Sequence, residues 1–90
     1  MEQKVLYIKS GREKIVSKSW DFEAMCIVDD AKRTGAGTIR AGMAAVYYLF
    51  SGTKATGDVI DGLPDAKKAE LAMRVYAWYT DDTAKALKNL

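Results

Sequence analysis

Few residues in this chain could carry out chemistry, and their spacing does not assemble a catalytic or metal site. The 90-residue sequence has no histidine, the commonest general base and metal ligand, and a single cysteine, Cys26. Cys26 falls inside a predicted helix with no histidine to activate it, so we expect a structural side chain rather than a nucleophile. The sequence therefore predicts no catalytic residue, no metal and no cofactor, and indicates a protein that is not an enzyme.

Two pairs of carboxylates, Asp29-Asp30 and Asp81-Asp82, resemble acid–base dyads at first sight. Neighbouring residues on a helix point about 100° apart, so the two members of a pair cannot share a proton or a metal ion. We expect these aspartates to provide surface charge and helix caps.

The glycine-rich stretch GAGTIRAG invites comparison with the dinucleotide-binding fingerprint G-x-G-x-x-G. It does not match, because Arg40 occupies the third glycine position and no strand precedes it. Free N–H groups at Thr38 to Arg40, with Lys32 and Arg33 nearby, leave a weaker anion site open. The alternative is a plain connection between two helices.

Charge and composition favour a single small domain, residues 1–90, with protein rather than nucleic acid as its partner. Fourteen basic and twelve acidic residues give a net charge of +2 without a basic run. The segment GDVIDGL, placed like a DNA-recognition helix, carries two aspartates that would repel phosphate. The lone cysteine fits a reducing cytoplasm, and no apolar segment is long enough for a membrane anchor.

The central stretch, Thr38 to Phe50, is apolar on two faces when wound as a helix. One face carries Ile39, Met43, Val46 and Phe50, and the other carries Ala41, Ala44, Ala45 and Tyr48. The small residues of the second face allow another backbone to come close. A helix of this kind is normally covered on both sides, either within its own domain or by a partner.

The whole pattern predicts an α+β, mostly helical fold in which an N-terminal β-hairpin packs on three main helices and a short one. In the hairpin, Ile15 is expected to share a face with Tyr7, and Ile8 with Val16. Ser19 and Thr38 are the expected caps of the first two helices, and Pro64 opens the fourth. A kink or a fresh cap is expected at Thr80-Asp81-Asp82-Thr83. The predicted bounds are hairpin 4–18, helices 20–33, 38–51, 56–62 and 64–79, and a short C-terminal helix 82–89.

The sequence carries more apolar surface than one small core needs, and this excess is its functional signal. The helices either bury one another completely or leave one face to dock a helical partner or a second copy of the chain. The candidate partner-binding residues are Tyr48, Met73, Trp78 and Tyr79.

The order of elements resembles that of the small tail assembly chaperones of long-tailed bacteriophages. The resemblance rests on the hairpin, on the helix WDFEAMCIVDDAKRTG and on the segment YYLFSGTKATGDVIDGLPDAKKAEL, in which the nearest match is Tyr48-Leu49-Phe50, Gly52-Thr53, Ala55-Thr56, Val59-Ile60 and Leu63-Pro64. It covers most of the chain as a pattern and supplies no catalytic residues.

This resemblance implies a non-enzymatic protein of the infected host's cytoplasm that binds the long helical tape measure protein and assists assembly of the tail tube. Many members are also made in a longer, frameshifted form. The alternative is a small inhibitor or regulator, encoded by a phage or mobile element, that docks on one host protein through the same aromatic residues.

Overall fold

A computed structural model describes residues 3–90, which form a β-hairpin followed by four helices. The strands are β1 (Tyr7–Ser10) and β2 (Glu13–Val16), and the helices are α1 (Phe22–Arg33), α2 (Thr38–Leu49), α3 (Gly57–Asp61) and α4 (Asp65–Lys88). The predicted α+β, mostly helical fold is confirmed. No helix within residues 3–90 combines the length and the apolar character that crossing a membrane requires.

The hairpin turns at Gly11-Arg12, where Gly11 has a positive φ of 63°. Ile8 pairs directly with Ile15, and both are buried against the helices. The expectation that Ile15 shares a face with Tyr7 is wrong, because directly opposed residues of an antiparallel pair project to the same side. Tyr7 pairs with Val16 on the opposite, exposed face.

The core centres on α2, which packs against both α1 and α4. Gly42 is the point of closest approach, since a Cβ atom added there would lie 2.9 Å from the Ala72 Cα of α4. Ala41 and Ala45 beside it are completely buried. Of the predicted small face, Ala41 and Ala45 lie in the core but Ala44 is only partly buried, while Val46 and Phe50 of the other predicted face are buried as well. Thr38 is the first residue of α2 and not its cap, which is Gly37.

Helix α1 starts later than predicted, with Asp21 rather than Ser19 as its N-cap. The Asp21 Oδ1 accepts a hydrogen bond from the Ala24 N–H at 2.8 Å. Trp20 lies just before the helix, and its N–H donates to the Lys4 carbonyl at 2.8 Å. The Asp21 cap marks where α1 begins.

The fresh cap predicted as one alternative near residue 80 is wrong, since α4 is one helix of 24 residues that replaces the predicted helices 64–79 and 82–89. The Thr80 hydroxyl donates to the Ala77 carbonyl at 3.0 Å, and the Thr83 hydroxyl donates to the Tyr79 carbonyl at 2.9 Å. Both threonines bond back into the helix instead of capping a new one. Asp82 is engaged by Trp20 and so does not act as a cap.

Candidate protein-binding surface

A shallow apolar groove of about 630 Å³ runs between α2 and the first turns of α4, and we call it the α2–α4 groove. It lies along the side of α2 that the rest of the fold covers only in part. Its lining residues are Ile39, Arg40, Met43, Ala44 and Tyr47 from α2, with Asp65, Lys68 and Ala69 from α4.

Three side chains of α2 follow one another along the groove at four-residue spacing, namely Ile39, Met43 and Tyr47. Residues spaced in this way form a ridge along one side of a helix. Ile39 is 48% exposed and Tyr47 is 40% exposed, although both side chains are large and mostly apolar. The groove therefore presents a row of exposed apolar surface, and the spacing of this row matches that of side chains on a helical partner.

Polar groups hold the rim of the groove in place. The Tyr47 hydroxyl donates to Asp61 Oδ1, and this hydrogen bond is the main cause that raises the pKa of the phenol. Lys68 lies 3.4 Å from an Asp65 carboxylate oxygen, so these two charges largely offset one another. Arg40 forms no ion pair with any of residues 3–90, which leaves the rim with an unpaired positive charge.

Tyr48, a predicted partner-binding residue, contacts the start of α1. Its hydroxyl donates to Asp21 Oδ2 at 2.8 Å, and Lys18 Nζ lies 4.1 Å from its ring centre. The hydrogen bond to Asp21 is the main cause that raises the pKa of Tyr48. A backbone bond from Ala24 is the main cause that lowers the pKa of Asp21.

Trp78 and Tyr79, also predicted for partner binding, connect α4 to Trp20 and to α1. The Trp78 ring lies 5.8 Å from that of Trp20 in a tilted arrangement. The Tyr79 hydroxyl donates to Asp29 Oδ1 at 2.7 Å, which raises the tyrosine pKa to about 12. Both side chains are half-buried, so they hold the helices together and expose only part of their surface.

The four predicted residues do not form one continuous surface. Tyr48 and Tyr79 contact α1 at Asp21 and Asp29, eight residues or about 12 Å apart along that helix. Met73 is 49% exposed and lies one turn beyond Ala69, on the side of α4 that borders the α2–α4 groove.

Sequence reasoning missed the row Ile39, Met43 and Tyr47 as a binding surface. The available signal was the two-faced character of α2, but the pattern gives both faces similar hydrophobicity. Only the close approach at Gly42 decides which face is the core.

One aspartate of each pair considered for chemistry has well-defined structural partners. Asp29 binds Arg33 at 2.8 Å as well as Tyr79, and Asp82 accepts from the Trp20 indole at 2.7 Å. Partial burial, followed by the charges of Glu23 and the Asp29-Asp30 pair, raises the pKa of the Cys26 thiol, the reverse of what a reactive thiolate needs. Within residues 3–90 no cluster of three potential metal-ligating side chains occurs.

Comparison of the chain with protein-family models, with curated proteins and with solved structures found no match.

Proposed function

We propose that this chain is a non-enzymatic protein-binding module that holds an apolar helix of another protein in the α2–α4 groove. The observation that carries this proposal is the row Ile39, Met43 and Tyr47 beside Ala69, in which Ile39 and Tyr47 stay half-exposed and Met43 is only partly buried, while the opposite face of α2 is fully buried. A groove between two helices takes up a third helix through anchors at the same four-residue spacing.

The specific form of the proposal is a tail assembly chaperone of a long-tailed phage, acting in the cytoplasm of the infected host. The support comes from the resemblance in element order and from the match between ligand and groove. A tape measure protein is a long helix with apolar stretches that need cover before assembly. Small grooves on many copies of a chaperone could cover such a helix segment by segment.

Co-expression with the tape measure protein tests this function. The resemblance predicts that a long helical protein is encoded beside this chain, and that protein is the partner to use. We expect it to aggregate alone and to co-purify in soluble form with the wild-type chain. Met43→Asp places a charge in the groove and should abolish co-purification, because a buried unpaired carboxylate opposes apolar docking.

Phe22→Asp is the matched control, since Phe22 is 75% exposed on α1 and lies outside the groove. This variant should retain the partner, and circular dichroism should show that both variants fold. Equal retention by Met43→Asp would overturn the assignment of the groove. A wild-type homodimer that Met43→Asp dissociates, with no partner bound, would show that the groove pairs two copies.

A further inference from the structure

The outer edge of β1 carries backbone groups that have no partner in the fold. The Ser17 N–H donates to the Leu6 carbonyl at 2.8 Å, so alternate residues of this segment bond toward β2. The N–H and C=O groups of Val5, Tyr7 and Lys9 then point to the opposite edge. They form no hydrogen bond with any other part of residues 3–90. An edge of this kind is a template for a further strand.

A groove runs along this edge between β1 and the first turns of α4, and we call it the β1–α4 groove. One part, of about 390 Å³, lies between Lys9 and Pro64, and a smaller part continues between Val5 and Arg74. Tyr7 and Lys67 line both parts, so the two lie next to each other along the edge. A channel between a strand edge and a helix is the geometry in which an extended peptide adds to a sheet.

The charges of the β1–α4 groove select an acidic occupant. Three cations line it, namely Lys9, Lys67 and Arg74, against one carboxylate. That carboxylate, Glu70, already lies 3.6 Å from Lys67 and 3.9 Å from Arg74. The Lys67 Nζ also lies 5.8 Å from the centre of the Tyr7 ring, which helps to keep its charge beside the edge.

The same charges disfavour edge-to-edge pairing with a second copy. Residues 4–18 contain five basic residues and one acidic residue, Glu13. The Glu13 carboxylate is 3.3 Å from Lys54 and is therefore already engaged. Two such hairpins placed side by side would bring like charges together, the device by which natural edges avoid self-association.

We propose that an extended acidic segment of a partner protein docks in the β1–α4 groove as a third strand. Its backbone bonds to Val5, Tyr7 and Lys9, and its carboxylates lie near Lys67 and Arg74. This second site takes an extended ligand, so it does not depend on the helix-binding proposal for the α2–α4 groove.

A fluorescein-labelled peptide, TEVEVEVT, is the probe for this site. We expect saturable binding in fluorescence anisotropy and, in NMR spectra, slower amide exchange at Val5, Tyr7 and Lys9 with little change at Leu6 and Ile8. Two further peptides separate backbone docking from charge attraction, one N-methylated at every valine and the other at every glutamate. Because N–H groups alternate between the two edges of a strand, one methylated peptide should lose about tenfold in affinity and the other far less.

Charge reversal in the protein gives the second arm of the test. Lys67→Glu should weaken binding of the probe about tenfold, whereas Lys88→Glu, at the far end of α4, should leave it unchanged. Equal effects of these two variants, equal loss for both methylated peptides, or amide changes confined to α2 would overturn the proposal. Tighter binding of oligothymidylate with the same amide changes would assign the site to single-stranded nucleic acid instead.

Discussion

The two faces of α2 are buried to different extents although both are apolar in sequence. One face, with Ala41, Gly42 and Ala45, is completely covered by the neighbouring helices. The other face presents Ile39 and Tyr47, which remain 48% and 40% exposed. The covered face also holds Val46, Leu49 and Phe50, so burial on α2 does not follow side-chain size.

The crossing with α4, rather than a difference in hydrophobicity, separates these faces. Small residues let the backbones of α2 and α4 come together at Gly42 and Ala72. A close crossing buries backbone as well as side-chain atoms and gains dispersion contacts over the whole interface. Ile39 and Tyr47 lie to one side of this crossing, where they form the wall of a groove.

The largest effect is expected where the two backbones meet. Gly42→Val should destabilise the fold by about 4 kcal/mol or more, a large share of the roughly 5–10 kcal/mol available to a domain of this size, because no side chain fits against Ala72. Urea unfolding measures this change. Gly37→Val is the control, since a Cβ at Gly37 meets no atom within 4 Å, and it should cost about 1 kcal/mol or less. Similar costs for the two variants would contradict the close-crossing account.

Truncating one large side chain on each face of α2 should have a smaller effect on the free energy of unfolding and should distinguish the two faces. Leu49→Ala removes a fully buried side chain and should cost about 3 kcal/mol, through lost burial and the cavity that remains. Ile39→Ala removes a half-exposed side chain of the same volume class and should cost less than about 1 kcal/mol. Thermal and urea unfolding of both proteins gives the ranking. A reversed order would mean that the exposed face is also part of the core.

The smallest effect is expected for the hydrogen bond between Tyr79 and Asp29, whose contribution to the free energy of unfolding depends on pH. The hydrogen bond from Tyr79 is the main cause that lowers the pKa of Asp29 below 3.8, and the same bond raises the pKa of Tyr79 from 10.0 to about 12. The bond therefore stabilises the fold fully between about pH 4 and pH 10. This contribution is lost as pH falls through the lowered carboxyl pKa, and again as pH rises from 10 through 12.

Tyr79→Phe tests this pH dependence when urea midpoints are measured across the range. The variant should be slightly less stable than the wild type at neutral pH and should converge with it toward both extremes. Leu49→Ala, by contrast, should lower the whole profile by a nearly constant amount. A constant offset for Tyr79→Phe would show that the ring contributes by packing and not through its hydroxyl.

Local patterns were enough to predict most of the helices and the hairpin. Helix α3 follows Thr56, and α4 follows Pro64, within a residue of the predicted starts. The continuity of α4 past Thr80 was not predictable, because Asp82 looks like a cap until Trp20, 62 residues earlier, is seen to bind it. Threonine and aspartate favour both caps and such tertiary bonds.

The candidate surfaces were less predictable than the fold for the same reason. Of the four residues expected at a binding face, Met73 is the one that stands about half-exposed beside the α2–α4 groove. The choice between the faces of α2 depends on one crossing with α4, and the β1–α4 groove depends on where α4 passes the hairpin. Neither is encoded in a local period, since both are set by contacts between distant segments.

Asp82, which accepts from the Trp20 indole, also accepts a hydrogen bond from Lys4 Nζ at 3.2 Å across 78 residues, the longest sequence separation among the side-chain hydrogen bonds of residues 3–90. Closing so large a loop costs more chain entropy than forming the hairpin, whose paired residues are only a few positions apart. We therefore expect the Trp20–Trp78 contact, which lies beside this bond, to form late in refolding. The native fluorescence of these two residues would then time the final step, and stopped-flow traces should lag behind the formation of helix.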